Sequence, residues 1–385
     1  MISNIDTLLL TGSEKDIKTA AQLIIENKLV AFPTETVYGL GGNALSPTAA
    51  SAIYAAKGRP SDNPLIVHIC DTKAVYELAT TVPDKAVQLM EAFWPGPLTI
   101  ILPKKEIVPD TTTGGLNTVA IRMPSHPAAL SLIRESGIYI AAPSANSSGR
   151  PSPTTAEHVA DDLSGRIDAI IDGGAVGIGI ESTIVDLTSD TPTILRPGFI
   201  TKKMLEEIIG PVAIDPTLIE PDPNLRPKAP GMKYTHYAPK GELYIVEKSS
   251  SKRDINKKTT DGEVSHKDTS DREAAHKDTS DREAAHKEIA DKIIELYNEK
   301  KELGYSVKIL APCEHAGFYN KDDVITVGSL SDGVTVSARL YAALRECDAA
   351  EAEFIYSESF EENDLGGAIM NRLLKAAGHK VILVP

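Results

Sequence analysis

KDIKTAAQLIIENKLVAFPTETVYGLGG, residues 15–42, holds three patterns in succession. Residues 15–28 carry apolar side chains at helical spacing. LVAF (29–32) is a short apolar run of strand type, closed by Pro33. FPTETVYGLGG (32–42) then supplies hydroxyls and glycines, and Thr34, Thr36 and Tyr38 alternate as if to line one wall. Helix, strand and polar loop in that order are the beginning of an α/β fold.

The same alternation recurs downstream. PTAASAIYAAK (47–57) opens with proline and runs through alanines, so it reads as a helix. LIVHI (65–69), LTIIL (98–102), TVAIRM (118–123), IYIAA (138–142), DAIID (168–172) and STIVDL (182–187) read as strands. Thr154 and Glu157 form a capping-box pattern that opens TTAEHVADDL. The crossover rhythm is irregular, so residues 1–210 are expected to form a twisted mixed sheet with helices.

Composition bounds the partners. The chain has 385 residues and a formal net charge of -14. That balance opposes a broad nucleic-acid-coating surface but permits one basic pocket. Cys70, Cys313 and Cys347 are odd in number and far apart, which suits a reducing compartment. The start, MISNIDTLLLTGSEKD, lacks a basic leader, and no apolar run reaches membrane-spanning length. A cytoplasmic protein without membrane contact is expected.

Residues 211–240 are proline-rich and without period, an extended linker. Residues 241–385 resume the alternation as a smaller, Rossmann-like α/β domain. LYIVE (243–247), SVKIL (306–310), VITV (324–327), EFIY (353–356) and VILV (381–384) are its expected strands, and residues 334–347 and 367–378 its helices. A polar insertion at about 249–287 interrupts it. There SHKDTSDREA (265–274) recurs as AHKDTSDREA (275–284), and AHK begins a third copy. His266, His276 and His286 could be a metal-binding tract, but the composition favours a solvated insertion, with helix from near Arg282. No structural metal is expected.

Chemistry concentrates in KGRPSDNPL (57–65) and PSANSSGRPSP (143–153). In an extended chain Lys57 and Arg59 share a side, and Gly58 removes bulk between them. The alternative is a solvated helix C-terminus, where cations are also favoured. Ser144 and Asn146 repeat the spacing with a hydroxyl and an amide. A cation pair facing a neutral polar pair fits a phosphorylated ligand such as a nucleotide. Arg122, at a strand end, suits a carboxylate. Arg196 precedes a Pro-Gly turn, and His68 sits within an apolar strand, usually a core position. GGAVGIGIES (173–182) leads into a strand rather than a helix, so it lacks the dinucleotide-binding context. There is no Walker A motif, zinc spacing or nucleophile elbow, and Cys313-x-His315 is too sparse for a metal site.

TETVYGLG, the K-x-R of KGRP, the S-x-N of PSANSSG, the STIVD run and PGMKYTHYAP together resemble the threonylcarbamoyl-AMP synthase family, the YrdC-like proteins, in the long two-domain form. The resemblance is strong over residues 1–240 and rests on position and size beyond. It implies a nucleotidyltransferase that condenses L-threonine, bicarbonate or CO2, and ATP, releasing pyrophosphate, with Mg²⁺ accompanying the ATP. The product would feed a tRNA threonylcarbamoyl-transfer complex, which modifies adenosine beside the anticodon. Carried over by motif, Lys57 and Arg59 would be catalytic. Lys57, Arg59, Asn63, Thr118, Ser144, Asn146, Ser152, Arg196, Tyr234 and His236 would lie along ATP. Thr36, His68, Arg122, Ala142 and Ser182 would hold threonine. The linker is expected to close over the first domain as a lid through Tyr234 and His236. A double-stranded-RNA-binding module, a carbamoyltransferase and a structural subunit stand as alternatives.

Overall fold

The computed structural model describes residues 5–218, 227–230, 237–249, 271–360 and 365–385, with the side chains of 271–283 excepted. The first unit contains strands β1 (Leu8–Thr11), β2 (Val30–Phe32), β3 (Gly39–Asn43), β4 (Ile66–His68), β5 (Leu98–Pro103), β6 (Thr118–Arg122), β7 (Ile140–Ala142), β8 (Ala169–Asp172), β9 (Thr183–Asp186), β10 (Thr193–Arg196) and β11 (Ala213–Ile214). Its helices are α1 (Glu14–Ile25), α2 (Pro47–Lys57), α3 (Val75–Leu78), α4 (Asp84–Phe93), α5 (Pro127–Ser136), α6 (Ala156–Leu163) and α7 (Lys202–Ile209). The strands form one sheet in the order β1-β8-β2-β3-β7-β4-β6-β5-β9-β10-β11. Parallel pairs such as β4·β6 and antiparallel pairs such as β5·β6 both occur, so the sheet is mixed, as expected.

Both faces of this sheet are covered, which explains its continuous apolar runs. In β2, Val30 and Phe32 pack in the cluster with Ile17, Ile24, Ala129 and Leu132 of α1 and α5. Ala31 points to the other face, into the larger core with Ile53, Leu89, Val159 and Leu205. Strands β1, β3, β10 and β11 and helices α3, α4, α5 and α7 were not expected from sequence. The cap of α6 is one residue later than the capping-box reading: the Thr155 side chain accepts from the His158 N–H, while Thr154 contacts the His158 ring.

The second unit comprises β12 (Glu242–Lys248), α8 (Asp271–Glu302), β13 (Val307–Ala311), β14 (Val324–Thr326), α9 (Gly333–Ala349), β15 (Phe354–Glu358), α10 (Gly366–Ala376) and β16 (Val381–Val384). Its strands pair in the order β14-β13-β15-β12-β16, every pair parallel. Helix α8 starts at Asp271, earlier than the expected Arg282. The segment from Asp271 carries Arg-Glu-Ala-Ala and then Arg-Glu-Ala-Ala again, good helix formers whatever their polarity. Downstream of the repeats Ile289, Ala290 and Ile293 pack onto Val246, Val307 and Ile309. Because the repeats carry no large apolar side chain, deleting residues 265–284 is expected to change stability by no more than about 0.5 kcal/mol, the range of surface changes. Chemical denaturation measures this, and a larger loss would mean that the repeats pack on something.

The two units meet closely. Gly179, at φ +80, sits where an added Cβ would come within 2.3 Å of Ala338 Cα and Ser337 O of α9. Only glycine permits both that backbone and that approach. Arg345 of α9 bonds Asp162 Oδ2 at 2.9 Å and the Pro151 carbonyl at 2.5 Å, clamping the loop that follows Ser144 and Asn146.

Candidate active site

Strand pairing brings the candidate residues together. His68 and Arg122 are partners in the β4·β6 register, Ile66 pairs with Ala142 across β4·β7, and Gly39 bridges Ser144. The resulting cleft is lined by Thr34, Thr36, Lys57, Arg59, His68, Arg122, Ala142, Ser144, Asn146, Glu181, Arg196, Pro230 and Tyr237, among others.

Lys57 and Arg59 reach it by a route other than the extended one expected. Lys57 ends α2, and Gly58 at φ +62 is its left-handed cap. Gly58 N–H bonds the Ala55 carbonyl and Arg59 N–H the Tyr54 carbonyl, a Schellman closure that reverses the chain. The helix-terminus reading was right about the element and wrong about solvation, since Lys57 is 3% exposed. Its Nζ donates to the Ser144 carbonyl at 2.5 Å and to the Asn146 carbonyl. Burial, with Arg59 adding to it, holds the Lys57 pKa well below the ordinary lysine value. Arg59 donates to the carbonyls of Asn63 (3.4 Å) and Pro64 (3.2 Å), and burial lowers it to about 10. Arg196, likewise brought to about 10 by burial, bonds Ser182 O at 3.0 Å and Ser182 Oγ at 3.1 Å. Among the described residues none of these three cations has a carboxylate at salt-bridge distance. Buried cations whose direct hydrogen bonds go to neutral oxygens make a site for an anion.

The other end of the cleft is charge-balanced. Arg122 bonds Glu35 Oε1 at 2.6 Å, Thr36 Oγ1 at 2.9 Å and the Gly96 carbonyl at 3.3 Å. Burial pushes the Glu35 carboxyl up, but Arg122 outweighs it and the net pKa is lowered. Burial next to Arg122 brings His68 down to about 3, so its imidazole is neutral, with Nδ1 at 3.1 Å from the Ile66 carbonyl.

Glu181 was not anticipated. It accepts from Ser152 Oγ (2.6 Å), the Tyr341 hydroxyl (2.9 Å) and Arg372 Nε (3.0 Å), so α9 and α10 of the second unit close onto a residue of the cleft. Burial raises its carboxyl, but Arg372 and Arg196 outweigh burial and bring it to about 2. Tyr237, at the linker's end, lines the cleft and lies against Tyr341 with ring centroids 5.1 Å apart.

Several expected residues sit elsewhere. Asn63 is buried behind Arg59, holding it through its carbonyl. Thr118 begins β6, about 13 Å of extended strand from Arg122. Ser152 and Ser182 act one layer out, on Glu181 and Arg196. Tyr38 turns away, donating to the Gly174 carbonyl. Tyr234, His236 and the lid they were expected to form lie outside the described residues.

Residues 22–198 match a family model described as "Telomere recombination", that of the Sua5, YciO and YrdC proteins, and residues 200–378 match one described as "Threonylcarbamoyl-AMP synthase, C-terminal domain". The threonylcarbamoyl-AMP synthase of Bacillus subtilis is 48% identical over 97% of this chain and 96% of its own length. The chain belongs to the threonylcarbamoyl-AMP synthase family. Within that family it has the two-unit form. A crystal structure of Pyrococcus abyssi Sua5 complexed with L-threonine superposes with a TM-score of 0.85, at 43% identity, covering 98% of this chain and 100% of that one. The Pseudomonas putida synthase matches 47% of this chain at 32% identity over 97% of its own length, so that relative is about half as long. No helix among the described residues is long and apolar enough to cross a membrane.

The folded pKa of His68, about 3, lies below the ordinary 6.5, so as pH falls the unfolded chain takes up a proton that the folded one refuses. The stability this group supports is present above pH 6.5 and is lost as pH falls toward 3. Its ring resonances should stay fixed between about pH 5 and 8, where an ordinary histidine titrates. Proton NMR against a His68→Gln variant identifies the signal, and titration near neutrality would refute a buried neutral ring.

Proposed function

We propose that the chain condenses L-threonine, bicarbonate or CO2, and ATP into threonylcarbamoyl-adenylate, releasing pyrophosphate as a nucleotidyltransferase. The observation that carries this is one cleft with two differently charged ends, in a chain that matches a threonine-bound relative over nearly its whole length. Threonine lies at the balanced end. Three of Arg122's five N–H groups are used among the described residues, which leaves two for a carboxylate. Thr36, neutral His68 and the Ala142 backbone complete that pocket. ATP lies at the cationic end, with its phosphates against Lys57, Arg59 and Arg196 and with Ser144 and Asn146 beside them.

The carbamate of threonine attacks the α-phosphorus, and pyrophosphate leaves. Such a transfer needs positioning and charge stabilisation more than a proteinaceous nucleophile. Glu181, the one carboxylate lining the cleft among the described residues, is already engaged by Arg372. Mg²⁺ therefore fits as a companion of the triphosphate rather than as a caged ion. The adenylate passes to the machinery that modifies tRNA, and the protein works in the cytoplasm.

Purified protein with ATP and bicarbonate should release pyrophosphate only when threonine is added, and without RNA. Turnover that needs RNA would favour the RNA-binding reading, and turnover on carbamoyl phosphate the carbamoyltransferase.

A further inference from the structure

A second cluster of chemistry-bearing side chains lies in the second unit, away from the cleft. His286 comes from α8, His315 from the turn after β13, and Glu358 from the last position of β15. Strands β13 and β15 are parallel neighbours, so His315 and Glu358 stand at the carboxyl edge of the sheet. Open α/β sheets bind ligands at that edge. The donor atoms of the three residues all lie within 4.8 Å of one another. His315 Nδ1 is 2.6 Å from Glu358 Oε2, and the Tyr319 hydroxyl donates to Glu358 Oε1 at 2.7 Å. The His286 and His315 rings are 4.7 Å apart. Glu358 is 1% exposed, a depth at which a carboxylate needs compensation.

We propose that His286, His315 and Glu358 bind a divalent transition-metal ion of the zinc class. Two imidazoles and a carboxylate suit Zn²⁺, whereas Mg²⁺ and Ca²⁺ prefer all-oxygen shells. Tetrahedral ligands with bonds of about 2.0–2.1 Å stand about 3.4 Å from each other, a spacing between the 2.6 Å of the His315–Glu358 pair and the 4.8 Å bound on the cluster. On binding, the metal takes the place of the proton shared by His315 and Glu358, and that proton goes to solvent. Tyr319 orients the carboxylate from outside, and the fourth position takes water. His286 is the histidine of the third repeat copy, and His266 and His276 hold the same place in the first two. The metal would pin α8 to the sheet, which replaces the expectation that the protein carries no structural metal.

The test is a titration of chelator-treated full-length protein with Zn²⁺ against a coloured competing chelator, repeated with Co²⁺ for its visible spectrum. One equivalent is expected, with a tetrahedral nitrogen–oxygen cobalt spectrum and a higher melting temperature on adding zinc. His286→Ala, at a half-buried position, should fold, weaken zinc at least about tenfold and lose the thermal shift. Glu358→Gln should act likewise, and His266→Ala/His276→Ala should change nothing. No binding, affinity indifferent to His286→Ala, loss in the His266/His276 double variant, or a thiolate charge-transfer band from Cys313 would each overturn the proposal. None of these readouts depends on catalysis, so the site stands or falls separately from the synthase activity.

Discussion

Lys57→Ala is expected to lower threonine-dependent pyrophosphate release by about a hundredfold or more while the protein stays folded. The ammonium does two things. It ties the Ser144 and Asn146 carbonyls together, which fixes that loop, and under the proposed function it would face the phosphates. Charge-assisted contacts contribute about 1.5–3 kcal/mol each, and about 1.4 kcal/mol is tenfold in rate. Folding should survive because this charge is held at a cost. The Lys57 pKa is depressed, so below the ordinary lysine value the unfolded chain binds the proton more readily than the folded one. Removing the amine removes that cost along with its hydrogen bonds. Steady-state kinetics and a melting curve on the same sample decide it, and full activity in a folded Lys57→Ala would refute the clamp.

Arg372→Ala should destabilise the protein by about 3–5 kcal/mol, the cost of leaving one member of a buried ion pair alone. Arg372 is fully buried and bonds Glu181 and the Pro197 carbonyl. Without it the Glu181 carboxylate keeps Ser152 and Tyr341 but loses its nearest cation. The sign with pH is fixed. Glu181 is at about 2 in the folded protein and near 4.5 ordinarily, so its contribution is present above 4.5 and lost as pH falls toward 2. Arg372→Ala should therefore lose this dependence, so its stability gap to the wild type should narrow as pH falls from 4.5 toward 2. Adding Glu181→Gln should restore part of the stability, because the stranded charge goes. Denaturant curves for the three variants test this, and wild-type stability in Arg372→Ala would show that the pair contributes little.

Much of the architecture was legible because burial on both faces leaves a simple trace. LVAF, LIVHI and LTIIL are continuous apolar runs since helices cover each side of the sheet. Strand β3, GLGGN, left no such trace: it is mostly glycine and is held in the sheet by its neighbours β2 and β7. At the site, the two-residue spacing paired Lys57 with Arg59, and both line one cleft, although a helix cap rather than an extended chain turns them inward. Glu181 was illegible. It stands among glycines, and its partners Tyr341 and Arg372 are 160 and 191 residues away. Glu35 had a nearer signal, lying between two threonines of the cleft wall, but nothing local announced Arg122 as its partner.

The seam at Gly179 and Glu181 bears on how such enzymes can be cut and recombined. A half-length version made by trimming this chain would expose a glycine notch shaped for a missing helix and a carboxylate deprived of its arginine. Shortening the gene is thus a redesign problem rather than a deletion. Position 181 would have to become neutral, and 179 could then accept only a residue tolerant of the left-handed backbone. Chimeras that exchange the second unit between relatives face the matching constraint, because the donor must bring an arginine at the place of Arg372 on α10 and a close-fitting stretch of α9 opposite the notch.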